Sequence, residues 1–311
     1  MAIMTNAFHT FGATGNREDL TNFITMISPD ETPFYDSIGS VGAIATNHEW
    51  QTDVLRDAAA NVQLEGKTFG AAARTPTDRL NNRVQLFTEE FTVTETQQVV
   101  SKAGRSNEGA YQLKKAAKVL KKDFEWCLFN YLVGGSGTGA GSSTAARGMK
   151  GMHSWIADIA GNTGYSGVKS SAIELCATGL ASITEGDFNL ILQDVWDEGG
   201  KPNAVYTGGA LRRVISGWGT STSRVWDGSK KITNAVDVYE SSFGMLQLKL
   251  ERQGASSHGY IVDESLWKKA VLIPVGMKDI ATTGLGDNYM LRTEWTLESR
   301  AASGNGMFIS G

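Results

Sequence analysis

Gly66, Lys67 and Thr68 are the closing residues of a phosphate-binding loop, G-x-x-x-x-G-K-[ST], in which backbone amides cradle phosphate and the lysine reaches it. The opening glycine of that pattern would fall at position 61, where the chain has Asn61. Phosphate binding also needs a buried strand before the loop and a helix after it. The preceding DVLRDAAANV is too polar for a buried parallel strand, which reads as a near-continuous apolar run. The following FGAAARTPTD carries Gly70 and Pro76, so no long helix starts there to aim its amides at an anion. Nucleotide binding through Gly66-Lys67-Thr68 is the minor reading; the expected state of this stretch is a loop tip.

Other chemistry is sparse. His9, His48, His153 and His258 are scattered without metal-ligand spacing, and His48-Glu49 fails to continue as H-E-x-x-H because residue 52 is Thr52. No G-x-S-x-G elbow occurs. Asp187, Asp194, Asp197 and Glu198 read as the solvated face of a helix. VGGSGTGAGSSTAARGMKGM is glycine-rich but follows a helix pattern rather than a strand, so it reads as a loop. Cys127 and Cys176 are far apart and form no C-x-x-C pair; reduced thiols packed as small apolar groups are expected. No catalytic residue, cofactor or metal is expected.

Charge carries more information. The net charge of −4 hides a strong asymmetry: residues 1–100 hold 6 Lys/Arg against 13 Asp/Glu, whereas residues 101–150 hold 9 against 3. Lys114, Lys115, Lys118, Lys121 and Lys122 form most of that basic block. Three readings are open: contacts to nucleic acid, an ordinary solvated helix face, or a surface over which the acidic first third of another copy packs. The asymmetry favours the third.

These residues need elements to hold them. SNEGAYQLKKAAKVLKKDFEWCLFNYL, about 106–132, places Leu113, Ala117, Leu120, Phe124, Cys127/Leu128 and Tyr131 on one helical face, with lysines on the rest. Ser106 or Asn107 can cap its start, with Glu108 in the first turn. At 1.5 Å per residue such a helix is about 40 Å long. Before it, residues 44–55 alternate, with Ile44, Thr46, His48, Trp50, Thr52 and Val54 facing one way. Residues 84–100 alternate again. Two half-polar strands around a weakly patterned loop predict a long hairpin, which is marginal alone and should rest on another surface, such as a second subunit. Residues 18–27 predict a short amphipathic helix, and SPDETPFYDSIG an extended arm. Farther on, Thr184 and Asp187 predict a capped helix with Phe188, Ile191, Leu192 and Val195 on its apolar face, ended by Gly199-Gly200. A short strand in KPNAVYTGG leads to a helix with Leu211, Val214, Ile215 and Trp218. Strands follow in AVDVYE, MLQLKLER, HGYIVDES, KKAVLIPV and NYMLRTEWTLESRA, giving a second half that reads as a compact α+β domain with its own mixed sheet.

The composition agrees with a globular chain: 311 residues, 41% hydrophobic and 20% charged, with 36 glycines and 5 prolines. The N-terminus lacks the basic and apolar regions of a signal peptide, and no apolar run is long enough to span a bilayer, so no membrane partner is expected.

The order of parts resembles the HK97-like major capsid proteins of tailed bacteriophages. SPDETPFYDSIG, HEWQTD, Glu65-Gly66, NRVQLFTEEFTVTETQQVVSKAGRSNEGAYQLKKAAKVLKKDFE and AARGMKGMHSWI are similar to the SU10 major head protein family, with residues 82–125 the most specific part. The resemblance implies an α+β fold with an N-terminal arm (1–43), an E-loop hairpin (44–100) and a P-domain part with spine helix and Gly-rich loop (101–183). An A-domain (184–284) and a C-terminal strand returning to the junction (285–311) complete it. It implies a structural shell protein: hexamers and pentamers closing into an icosahedral capsid around double-stranded DNA, assembled in the host cytoplasm and part of the virion. Arm and E-loop would lie across neighbouring subunits. Implied partners are a portal and a maturation protease or decoration protein. Because the chain starts almost at the arm, scaffolding is expected from a separate protein, unless a short prosequence has been removed. No motif assigns a lysine–asparagine crosslink. Inter-subunit contacts are expected from Asp53, Asp57, Glu65, Lys67 and Arg74 on the hairpin and from Lys114, Lys118, Lys121 and Lys122 on the spine helix.

Overall fold

The computed structural model describes residues 24, 26–56, 58–68, 70, 74, 76–130, 141–157, 173–176, 183–218, 237–254, 258–281 and 284–310. The helix expected at 18–27 therefore lies almost wholly outside the described residues, as do the end of the spine helix beyond 130 and the first part of the glycine-rich loop.

The chain enters through a one-turn helix α1 (Pro33–Ser37) and a short strand β1 (Gly39–Gly42). Strands β2 (Asn47–Thr52) and β3 (Asp78–Arg83) form a two-stranded ribbon. Next come β4 (Gln85–Thr94), a short helix α2 (Glu95–Val99), the long helix α3 (Glu108–Phe129) and α4 (Met152–Ala157). The second half comprises β5 (Ile173–Cys176), α5 (Glu185–Asp197), β6 (Ala204–Thr207), α6 (Gly209–Trp218), β7 (Val238–Ser241), β8 (Gly244–Leu250) and β9 (His258–Val262). Two 14-residue strands, β10 (Trp267–Ile280) and β11 (Gly286–Ser299), precede the last strand, β12 (Gly306–Ser310).

Among the described residues these strands form three sheets. The first has the order β1-β10-β11-β4, the second is the mixed sheet β5-β12-β9-β6-β8-β7, and the third is the β2-β3 ribbon. The sequence reading paired residues 44–55 with 84–100. Instead β2 pairs with β3, Asn47 opposite Arg83 and Thr52 opposite Asp78. β4 leaves the ribbon to pair antiparallel with β11, Gln85 opposite Trp295 and Thr94 opposite Gly286. Both partners offer the same period-two pattern. β11 is the better one because its buried Leu291, Trp295 and Leu297 give Phe87 and Val93 an apolar face to complete. β10 likewise sits in this sheet and not in the mixed sheet expected for the second half.

Helix α3 lies on the four-stranded sheet. Asn107 caps it by accepting the Ala110 N–H at 3.0 Å. Over 22 residues it is about 33 Å long. Ala116, Leu120, Phe124, Cys127 and Leu128 are buried, whereas Ala117 is exposed, so the stripe passes one residue earlier than expected at its N-terminal end. Phe87 stacks on Trp295 at 5.3 Å, and Phe124 meets that indole edge-on at 5.5 Å. Such pairs add to the roughly 1.5–3 kcal/mol that burial of each large apolar side chain contributes.

In the mixed sheet, side chains alternate between two cores. Val205, Ile261 and Phe308 face α5 and α6, meeting Phe188, Ile191, Leu192, Val195, Leu211 and Ile215. Ala204, Tyr206, Tyr260, Val262 and Met307 face the other way, into the core that also holds Phe129 and Trp267. The central strands are thus buried on both faces and join the two halves. α5 carries the expected capping box, with Thr184 and Asp187 bonded reciprocally. The Thr184 bonds hold the Asp187 carboxyl below its ordinary range.

Candidate assembly surfaces

Three surfaces contain the residues singled out from sequence: the arm root, the ribbon with its distal loop, and the basic face of α3.

The arm root is residues 29–43. Phe34 is completely buried among Phe129 (5.4 Å), Tyr206 (5.2 Å) and Trp267 (6.2 Å). The first turn of α1 has orphan amides, as every helix start does. Here the Phe34 and Tyr35 N–H groups donate to the two carboxyl oxygens of Glu125 on α3, at 2.8 and 2.7 Å. Around this centre Lys118 pairs with Asp30, Lys121 with Asp36 at 2.8 Å, and Arg252 with Glu31 at 3.3 Å. The Gln253 side chain donates to the Pro29 carbonyl at 2.9 Å, and Lys269 to that of Tyr35 at 2.7 Å. The Lys118 hydrogen bond and charge hold the Asp30 carboxyl below its ordinary range. β1 then runs parallel to β10, and the Ala43 N–H closes on the Val271 carbonyl at 2.9 Å.

This clasp changes the reading of the charge asymmetry. Acidic residues of the first third do pack on the basic helix, and they do so within one chain: Asp30 and Asp36 take Lys118 and Lys121. Lys122 adds a longer-range pull on Asp30. Lys114 and Lys115 are exposed and, among the described residues, form no ion pair.

The ribbon root is fixed to the same subunit. The Trp50 indole N–H donates to the Ser299 carbonyl at 2.8 Å, and its ring packs on Trp155 at 5.4 Å. His48 meets Glu298 at 3.0 Å. Buried Asn82 satisfies four backbone groups: it donates to the carbonyls of Leu297 (2.7 Å) and Lys150 (3.1 Å) and accepts the Lys150 and Arg83 N–H groups, each at 2.9 Å. The surface on which the root rests is thus the chain's own β11 and the segment leading into α4.

Beyond Thr52 and Asp78 the described loop has no regular element. The Lys67 N–H donates to the Leu64 carbonyl at 3.2 Å, closing a turn with Glu65 and Gly66 at its centre, and Gly66 has φ +78°. A glycine serves there because side chains disfavour that backbone region. Among the described residues no strand directly precedes this stretch and no helix follows it, and Gly66-Lys67-Thr68 lies in a turn. Asp53, Glu65, Lys67 and Arg74 are all exposed; Asp53 accepts the Val54 N–H at 2.9 Å, and Lys67 bonds the Gln63 side chain. Asp57 lies outside the described residues. Sequence reasoning missed the apolar members of this loop: Leu55 is 91% exposed, and Val62 and Leu64 are each 86% exposed.

Among the described residues no three histidines converge on a site. His153 and His258 meet edge-on at 4.6 Å, and burial together with His258 pushes His153 down to about 4. His9 lies outside the described residues. Among the described residues no group of three His, Cys, Asp or Glu side chains could hold a metal ion, and no helix is long and apolar enough to cross a membrane.

An anchored ribbon with a bare apolar tip, a clasped arm and a long helix across a sheet fit a subunit made to be joined to others. A family model described as SU10 major capsid protein matches residues 4–310. The chain belongs to the SU10 major capsid protein family. The major capsid protein of Escherichia phage Phieco32 is 23% identical over 340 residues, covering 97% of this chain and 96% of that protein. Among solved structures, the capsid asymmetric unit of cyanophage A-1(L) superposes with a TM-score of 0.72 at 12% identity, covering 97% and 99% of the two chains. The capsid of the native GTA particle computed with C5 symmetry gives 0.67 at 10% identity, covering 99% and 100%. A mycobacterium phage Adephagia structure gives 0.65 at 12%, covering 99% of each chain. The fold is α+β and HK97-like, and the protein is a structural component of a phage capsid shell.

Proposed function

We propose that the subunits assemble as hexamers and pentamers into a closed icosahedral shell around double-stranded DNA, with the distal loop of the ribbon as the E-loop that grips a neighbour. The observation that carries this reading is the contrast within one ribbon. Its root is fixed by Trp50, His48 and Asn82, while Leu55, Val62 and Leu64 on its distal loop are almost fully exposed. A globular surface tolerates single exposed leucines, but several on one projecting loop mark a contact surface.

In this reading α3 and the β1-β10-β11-β4 sheet form the P-domain, and the mixed sheet with α5 and α6 forms the A-domain. The C-terminal segment serves both, since β11 lies in one sheet and β12 in the other. The inter-subunit role of Asp53, Asp57, Glu65, Lys67 and Arg74 belongs to the loop. On α3 that role belongs to the exposed Lys114 and the half-buried Lys122, with Lys118 and Lys121 shared with the arm. Assembly takes place in the host cytoplasm, with scaffolding, portal and a maturation protease or decoration protein as partners. Electron microscopy of the expressed chain, with and without candidate scaffolding, tests the proposal. Shells, tubes or rings are expected from the wild type. A Leu55→Asp, Leu64→Asp variant should remain a folded subunit that forms none. Normal shells from that variant would sink the E-loop reading, and dispersed wild-type subunits under every condition would sink the assembly reading.

A further inference from the structure

Where the arm root meets α3, two carboxyl groups face each other inside the protein. Glu125 is fully buried, and Glu251, which follows β8, is 7% exposed. Glu251 acts on the Glu125 carboxyl both through a hydrogen bond and through its charge. Each is also tied to backbone. Glu125 accepts the Phe34 and Tyr35 amides, one on each oxygen. Oε1 of Glu251 accepts the Gly254 amide at 3.0 Å and the Gln253 amide. Oε2 of Glu251 is buried, and among the described residues no donor reaches it. Gly254 seats this loop against α3, because a side chain there would meet the Phe129 ring at 3.0 Å.

Two buried carboxylates acting on each other in this way would repel, and among the described residues the neighbouring cations are bonded elsewhere. Lys121 is committed to Asp36, Arg252 to Glu31, and Lys249 to Glu264. Lys269 is the one of these whose charge interacts with Glu125, and its ammonium donates to the Tyr35 carbonyl and lies over that ring at 3.9 Å. On the side of β6, the Tyr206 hydroxyl contacts Ser37 and Glu264, and burial keeps it above its ordinary range. A proton between the two carboxyls relieves their repulsion and also supplies a donor for Oε2 of Glu251.

We propose that Glu125 and Glu251 share one proton, and that this proton latches the arm root onto the spine helix and the 251–254 loop. The latch joins three segments far apart in sequence: α1, the C-terminal end of α3 and the loop after β8. Losing the proton to solvent leaves two facing anions and loosens Glu125 from the start of α1. Burial, then the hydrogen bond and charge of Glu251, push Glu125 up to about 9, against the pull of the two amides. A raised value means that the contribution is fully present below the ordinary carboxylate range and is lost as pH rises through about 9. The latch therefore holds in acid and opens in base, the reverse of an ordinary ion pair of carboxylate and cation.

Glu251→Gln discriminates between a proton latch and mere packing. Its amide donates permanently to Glu125, and its carbonyl still accepts from the loop amides. Amide hydrogen exchange on the full-length protein, corrected for the intrinsic effect of pH, reads the Phe34 and Tyr35 amides directly. In the wild type their opening should rise by about tenfold or more between pH 6 and pH 9, as expected when a strongly shifted carboxyl ionises. In Glu251→Gln the opening should stay flat over that range. Equal pH dependence in both proteins, or a flat wild type, overturns the proposal. Infrared spectroscopy gives a second reading that does not depend on the variant folding. The wild type at neutral pH should show the carbonyl band of a protonated buried carboxyl that disappears in base, and its absence also overturns the latch.

Discussion

Replacing Phe34 by Ala tests whether the arm root is an integral part of the subunit or a strap laid on its surface. The ring has no exposed surface and touches Phe129, Tyr206 and Trp267, which come from α3, β6 and the start of β10. Truncating a buried phenylalanine costs about 3–5 kcal/mol, the sum of lost transfer energy and the cavity left behind. The three ring contacts share one cavity, so their individual contributions do not add. Because the arm root ends in only four parallel pairings between β1 and β10, the loss should fall first on local detachment. At about 1.4 kcal/mol per tenfold, the open state of residues 30–43 should rise by about two to three and a half decades. The Ala43 amide, bonded to Val271 in the closed state, is the reporter: its exchange should accelerate by that factor, while amides in the middle of β11 change far less. Acceleration below about tenfold would refute the view that this ring anchors the arm, since it would mean a cost under about 1.4 kcal/mol. Equal acceleration in β11 would show instead that arm and sheet unfold as one unit.

Other perturbations follow from the same geometry. Asn82→Leu removes four hydrogen bonds to backbone inside the ribbon root and strands the Lys150 N–H, so denaturation of the full chain should show a loss of about 2–4 kcal/mol. Lys118→Glu with Lys122→Glu sets two acids against Asp30 beside the partly exposed Lys118 site; exposed pairs are worth only about 0–1 kcal/mol each. The subunit should stay folded by circular dichroism, with faster proteolysis before residue 33 and no shells by microscopy, and normal shells would refute a role for this charge pattern in assembly. Lys67→Ala should leave calorimetric titrations with ATP unchanged, with no heat of binding before or after the substitution. Gly66→Val forces a β-branched side chain into the left-handed region at a cost of about 1–2 kcal/mol. That cost should appear as altered exchange of the Lys67 amide, without a shift in global melting.

Much of this architecture could be read from local chemistry. The capping box at Thr184 and the stripe from Phe188 to Val195 define α5 without tertiary help. The alternation of Leu291, Thr293, Trp295 and Leu297 specifies the buried face of β11. Ambiguity began where two partners offered the same pattern. Residues 85–94 suit a ribbon with β2 as well as a sheet with β11, and only the pooled apolar face of Phe87, Trp295 and Phe124 decides between them. The short strands β1, β5 and β12 carry too few residues to show a period. Ala116 and Ala117 are adjacent and chemically alike, so only the sheet beneath α3 decides which of them is buried. Glu125 was legible only in outline. It stands between Phe124 and Trp126 and three residues before Leu128, so it borders the buried stripe, and a charge there implies a buried partner. Which partner depends on amides of α1 and a carboxyl at position 251, far away in sequence. The outward lysines suggested a neighbouring copy because their nearest acids, Asp30 and Asp36, give no local sign of folding back.

The ribbon and the arm root separate stability from association in a way that mutants can resolve. Trp50, His48 and Asn82 bond to β11 and to the approach to α4, so changes there act on the folded subunit first and on assembly as a consequence. Leu55, Val62 and Leu64 are almost fully exposed in the single subunit, so replacing them with polar residues removes no buried area and should leave folding within about 0.5 kcal/mol of the wild type. Their apolar surface becomes favourable only when another subunit covers it, at roughly 25 cal/mol per Å² removed from water. A loop that keeps such side chains bare raises the risk of non-specific aggregation without stabilising its own subunit. That combination is reasonable where the covering surface is presented many times over, at high local concentration, by identical neighbours.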